Sequence, residues 1–398
     1  MKRMRTLLVG LSAALALTLT ACGGANNEDA ATGSKTSSGA AALTITDVKN
    51  RKVTFDHPPQ RVILGEGRGL FATALLNKAN PVENVVAIGN DLDSAAPSFK
   101  KSLEKVVPAV AKLPTIGNLA KGDVSVENLV GLKPDALVMS ADHFDTLSTN
   151  GMLEKIDQAG IKYVVTDFRQ HPLTNTTKSM DVLGKLLGKT DAATKFTKEW
   201  TDTVTRIQER TKDIPAEKHP KTFLWRAAGL KDCCATVAKS NLGEFINAAG
   251  GNNLGDSILK SESGDVTNEK VIAENPPIII ATGGSWDPKK EAGKNKKQAV
   301  MHAELGYQTD PTTAGKTLAG LLQTEGFNQL QAGQKHHFYG VWHQFYDSPL
   351  NFLAMEQFAK WLHPDQFKDI DPAAHWQKIH AEYLPIKATG TFFSELPK

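Results

Sequence analysis

Between Asp191 and Asp213 the chain runs DAATKFTKEWTDTVTRIQERTKD, with no glycine and no proline before Pro215. Phe196, Trp200, Val204 and Ile207 recur every three or four residues, which puts them on one side of an α-helix. At 1.5 Å per residue such a helix reaches roughly 35 Å. Thr190 or Asp191 is expected to cap its start by accepting from unpaired backbone N–H groups. What flanks the helix constrains the fold further. A block of alternating strand and helix signals closes at Gly188, and a second block opens near Lys221. An unbroken helix between two such blocks predicts a stiff strut joining two lobes.

In the first block, Leu43 to Phe55 alternates apolar and polar residues about Lys49-Asn50, as a hairpin does. Short apolar runs follow at Arg61–Leu64, Val85–Ile88, Pro134–Ser140 and Tyr163–Thr166, separated by helical stretches. The second block repeats the plan with Thr222–Trp225, Pro277–Ala281 and His336–Val341, and Leu350–Leu362 reads as its closing helix. Strand alternating with helix predicts parallel sheets covered on both faces. The expected fold is α/β: an N-terminal lobe over 42–189, a linking helix over 190–215 and a C-terminal lobe over 216–398. Each lobe is expected to hold a mainly parallel sheet flanked by helices. A chain of 398 residues has room for both cores.

The first residues carry an address. Lys2, Arg3 and Arg5 precede an apolar run from Leu7 to Leu19 that is short for a permanent membrane span. The run ends Leu-Thr-Ala-Cys22, followed by two glycines, which resembles the bacterial lipoprotein signal. Residues 1–21 are therefore expected to be cleaved as a signal peptide, leaving the chain exported and anchored to the cell membrane through a lipidated Cys22. Residues 22–41, poor in anything to bury, read as a flexible tether. Removing the three basic residues of the signal leaves a basic count equal to the 43 acidic residues, so charge gives no case for nucleic acid or a polybasic membrane patch. The other cysteines, Cys233 and Cys234, are adjacent: they form either a vicinal disulfide or two thiols, and with no second pair they support no tetrahedral zinc site.

Ligands of open parallel sheets sit beyond the carboxyl ends of the strands. Those ends carry Arg68, Arg169 and Arg226, together with Asn90, Asp142, His143, Trp286, Trp342, His343 and Tyr346. Three arginines drawn from both blocks point to an anion held by bidentate guanidinium contacts. The lysines at 289, 290, 294, 296 and 297 read as a solvated loop. The Gly65-Glu66-Gly67-Arg68-Gly69 loop fits neither a P-loop nor a dinucleotide fingerprint, and its glycines suggest close approach of backbone to a ligand. If His336 to Val341 is a strand, His337 and His343 share a face, yet no carboxylate pair beside them completes a metal site. His143, Tyr339 and His343 are alternative haem ligands. No G-x-S-x-G or H-E-x-x-H motif asks for an enzyme.

Four segments in this order carry a family resemblance: ITDVKNRKVTF followed by PPQRVI, then SVENLVGLKPD from Ser125, the long helix, and LGEFINAAGG from Leu242. Over roughly Leu43 to Pro385 the chain resembles the substrate-binding lipoproteins of ABC importers in the class whose two α/β lobes are joined by one long helix. Members of that class, the class III periplasmic binding proteins, take up ferric siderophores, haem or cobalamin. The resemblance implies a monomer that captures its ligand without chemistry and needs no resident cofactor, and a permease whose arginines meet carboxylates placed like Glu127 and Glu244. The segment WHQFYDSPLNF from Trp342 is similar to a subgroup of iron-chelate binders. That implies an anionic ferric siderophore, with Trp225, Trp286, Trp342 and Tyr346 against its organic faces and the arginines on its carboxylates. A continuous helix also implies a small closure on loading.

Overall fold

The computed structural model describes residues 42–230, 233–286 and 302–397. The expected signal peptide, Cys22, the tether and the lysines at 289–297 lie outside these residues. Strands β1 (Leu43–Thr46) and β2 (Lys52–Phe55) pair antiparallel as the alternation predicts. The Asp47 carboxylate closes their turn by accepting from the Lys49 and Arg51 backbone N–H groups at 3.0 Å each, with Asn50 left-handed between them.

Strands β3 (Val62–Leu64), β4 (Val85–Gly89), β5 (Thr115–Ile116), β6 (Ala136–Ser140) and β7 (Tyr163–Thr166) form one sheet in the order β5-β4-β3-β6-β7. All its pairs are parallel. β3, β6 and β7 are almost wholly buried, as expected of strands covered on both faces. Beyond the long helix come β8 (Lys221–Trp225), β9 (Ala235–Val237), β10 (Asn252–Asn253), β11 (Ser263–Asp265), β12 (Ile278–Gly283), β13 (Phe338–Trp342) and β14 (Phe393–Glu395). The second large sheet has the order β10-β8-β12-β13-β14, parallel except for β14, while β9 and β11 form a small antiparallel pair. This α/β architecture of mainly parallel sheets flanked by helices is the one the sequence predicts.

The long helix spans Thr190–Thr211 and buries Ala193, Phe196, Trp200, Thr203, Val204, Ile207 and Thr211, the expected face. It packs on helix Pro172–Leu186 of the first half and helix Asn351–Leu362 of the second. Polar contacts pin it: the Trp200 indole donates to Asn351 at 2.8 Å and Arg206 meets the buried Glu356 at 2.6 Å. Its start differs from expectation. Neither Thr190 nor Asp191 caps it; Lys189 holds the cap position without a side-chain bond. Gly188, left-handed, ends the preceding helix so tightly that Lys189 N donates back to the Gly184 carbonyl at 2.6 Å, leaving no extended residue to cap from.

Two other expectations change. His336 and His337 lie outside the strand, which begins at Phe338, and left-handed His336 closes the turn before it. His337 and His343 therefore share no strand face. The sequence also ends the fold too early, because helix Pro372–Tyr383 and β14 follow the supposed closing helix.

Candidate functional site

The carboxyl ends of β3, β4, β6 and β7 face those of β8, β12 and β13, and the arginines meet there. Tyr346, on the turn His343–Asp347 after β13, has all three guanidiniums around its ring, with Arg68 at 5.6 Å, Arg169 at 5.7 Å and Arg226 at 5.5 Å from the centroid. Arg68 and Arg169 come from the first half and Arg226 from the end of β8. Cations over an aromatic face are attracted by its quadrupole.

Carboxylates that an arginine-only reading overlooks neutralise two of the three. Arg68 donates from Nε to Asp91 at 2.6 Å and from a terminal nitrogen to Glu66 at 3.0 Å, and it also donates to the Tyr346 hydroxyl. Arg169 meets Asp142 at 2.6 Å and Glu66 at 2.5 Å. Asp347, only 6% exposed, reaches both, at 2.6 Å from Arg68 and 2.8 Å from Arg169. Burial pushes the Glu66 carboxyl up, but Arg169 and Arg68 outweigh it and hold the group well below the usual carboxylate range. At Asp347 burial wins over the same two arginines, and with the Glu66 charge adding to it the carboxyl is pushed up to about 6. Each arginine, by contrast, stays charged, because its carboxylate neighbours outweigh burial.

Arg226 differs. It forms no ion pair among the described residues, and its buried Nε has no hydrogen-bond partner there. Burial pulls its guanidinium below the ordinary value. It lines a pocket of about 220 Å³ with Asp142, Arg169, Gln170, Ser240 and Asn241. The Nδ1 of buried His143 is likewise unpartnered, and its Nε2 stands 3.7 Å from Glu66. His343 lies beside Tyr346 and Trp286. Burial and the three arginines hold it neutral. The Thr282 hydroxyl accepts from Ala227 N and lies 2.7 Å from His343 Nδ1, within hydrogen-bond distance.

Two of the four expected aromatic walls are absent. Trp342 is buried among Phe71, Tyr307, Phe345, Trp376 and Phe392, and Trp225 packs on Phe327; both are core side chains because they sit on inward positions of central strands. Trp286 does stand at the cleft, its indole donating across it to the Ala95 carbonyl at 3.2 Å. Asn90 is exposed and makes none of the cluster contacts; its neighbour Asp91 does. Tyr339 stacks on Trp361 at 4.5 Å, beside a separate pocket lined by His337 and Glu395, so it cannot share a haem with His143 and His343 in the cleft. The loop glycines serve chain packing: a Cβ on Gly65 would lie 2.7 Å from the Val138 carbonyl, and one on Gly67 would lie 2.8 Å from that of Gly89. This close approach lets Asp91 accept from Gly67 N and hold Arg68.

Glu127 is exposed in the first turn of helix Val126–Gly131, whose start Ser125 caps by accepting from Asn128 N at 3.1 Å. Glu244 is not an exposed knob. Its carboxylate, 15% exposed, accepts from Leu173 N at 3.2 Å and lies 2.9 Å from His171 Nδ1, bonding the two halves together. Cys233 and Cys234 are joined as a vicinal disulfide across a cis peptide bond. Among the described residues no group of three or more His, Cys, Asp or Glu side chains is arranged to hold a metal ion.

A family model described as "Periplasmic binding protein" matches residues 81–343. The "Uncharacterized ABC transporter substrate-binding lipoprotein YvrC" of Bacillus subtilis is 25% identical over 292 residues, covering 72% of this chain and 84% of that one. A "Cobalamin-binding protein" of Halobacterium salinarum is 25% identical over 288 residues, covering 72% of this chain and 70% of its own length. The solved structure of the "TroA-like Periplasmic Binding Protein FepB from Veillonella parvula" matches with a TM-score of 0.78 at 25% identity, covering 89% of this chain and all of that one.

Proposed function

This chain belongs to the periplasmic binding protein family, and from that premise we propose that it is the substrate-binding lipoprotein of an ABC importer, holding an anionic ferric chelate in the arginine cleft. One observation carries the choice of ligand: three guanidiniums from both halves surround a single tyrosine ring, and one of them, Arg226, forms no ion pair among the described residues and leaves its buried Nε unpartnered there. A carboxylate-type siderophore brings several negative oxygens and a flat organic edge, which suit Arg226 and Tyr346. The chelator alone would then coordinate the iron. Residues 42–189 and 216–398 act as the capturing lobes, and the long helix, packed on both, limits their closure. Cys22 would carry the lipid anchor, and exposed Glu127 would meet the permease.

A cobalamin reading has one observation in its favour, the name of the Halobacterium relative. Protein purified from iron-starved cells, with its ligand identified by mass spectrometry and absorbance, separates the two. A ferric chelate is the expected outcome; a corrin spectrum or a haem Soret band overturns it.

A further inference from the structure

The carboxylates around Arg68 and Arg169 are not equivalent. Glu66, Asp91 and Asp142 belong to the same half as the two arginines, and they hold the guanidiniums in orientation. Asp347 comes from the opposite half, on the turn after β13. Its Oδ2 accepts from Arg169 at 2.8 Å and lies 2.6 Å from Arg68, so it pairs with both as Glu66 Oε1 does, but from across the cleft. Own-half partners stay when the halves part. The cross-cleft partner does not.

We propose that Asp347 is the cleft's internal competitor and a specificity-determining residue: its carboxylate occupies the place on Arg68 and Arg169 that a ligand's anionic group takes, so only ligands able to displace it are retained. This rests on the cleft being the capture site. It explains how a cleft whose charges are nearly balanced still selects anions. Three arginines face Glu66, Asp91, Asp142 and Asp347, and a neutral ligand offers nothing in exchange for the bonds it would break. The groups facing Asp347 are Glu66 and Arg68 after β3, Arg169 after β7, and Tyr346 beside it, with Arg226 and His343 next around the ring. Glu66 is held ionised by both guanidiniums, so the carboxyl that takes a proton when a second anion arrives is Asp347. Capture then takes up a proton and tightens as pH falls.

The test is Asp347→Asn, which keeps size and removes charge, titrated calorimetrically with ferric citrate in two buffers of different ionisation enthalpy at pH 6 and pH 8. The variant is expected to bind at least about tenfold more tightly than the natural protein at pH 8, the gain of freeing charge-assisted hydrogen bonds. Proton uptake and the pH dependence should both vanish. Equal or weaker binding by a variant of unchanged melting temperature overturns the proposal; if that variant does not fold, Asp347→Ser takes its place under the same criteria. If neither protein binds ferric citrate, the chelate reading fails by itself, and the competitor is judged with metal-free citrate. A stronger response from the variant then sustains it, and an equal or absent response overturns it.

Discussion

His375 offers the most direct check on how the long helix is held. Its Nδ1 lies 2.7 Å from Glu356 on helix Asn351–Leu362, and its Nε2 lies 3.0 Å from Glu199 on the long helix. A carboxylate only accepts, so both ring nitrogens must donate and the ring must be charged. Burial works against that charge, but the bonds to Glu356 and Glu199 prevail and raise the group above its ordinary value. Two charge-assisted hydrogen bonds, at the low end of about 1.5 kcal/mol each, put the loss in His375→Leu at about 3 kcal/mol. Among the described residues Glu356, buried, would keep only Arg206, which is half exposed. For a chain of this size the loss lowers Tm by about 5 °C. The sign with pH follows from the raised value: the contribution is complete below the unfolded histidine value of about 6.5 and is lost as pH rises through the higher folded one. Differential scanning calorimetry from pH 6 to pH 9 should show the gap between natural protein and variant narrowing as pH rises. A gap that stays constant or widens refutes a charged His375. Adding Glu356→Gln to the variant should cost less than the two single changes together, since the second removes a charge already stranded.

Gly89→Ala should cost at least about 2 kcal/mol in urea unfolding, because the new Cβ would lie 2.5 Å from the Gly65 carbonyl, where backbone cannot yield. The same change should weaken capture by shifting Asp91 away from Arg68. Trp286→Phe should abolish ligand quenching of tryptophan fluorescence, while Trp225→Phe leaves it, since only the former indole stands at the cleft; equal quenching in both would contradict the assignment. Arg226→Gln should weaken ferric citrate binding about tenfold in calorimetry with little change in Tm, as the side chain forms no ion pair among the described residues.

The sequence is most informative where one period runs uninterrupted. The long helix and the β1–β2 hairpin could both be read from spacing and residue type. The convergence of Arg68, Arg169 and Arg226 could be expected from strand ends alone, since parallel strands deliver their carboxyl ends to one edge. What sequence cannot display is pairing across distance. Glu66, Asp91 and Asp347 look like ordinary acidic residues until the fold sets them beside the arginines. The tryptophans mislead for the same reason: Trp225 and Trp342 sit at strand ends, and only the packing around them shows which side of the strand they take. Two-residue strands such as β5 and β10 carry no alternation to detect, and β14 lies beyond the helix that looks like the close of the fold. Glu244 is anchored by His171, 73 positions away along the chain.

Strand β14 has a consequence for when the protein becomes competent. It covers the outer edge of β13, with Tyr339, Gly340 and Val341 opposite Glu395, Ser394 and Phe393, and β13 leads directly into the turn that presents Tyr346 and Asp347. An uncovered strand edge is free to pair with other chains. During synthesis, then, the half holding Arg68 and Arg169 is in place early, but its counterpart stays unbraced until Phe393 has emerged. A nascent or C-terminally clipped chain would expose a sticky border and trap nothing.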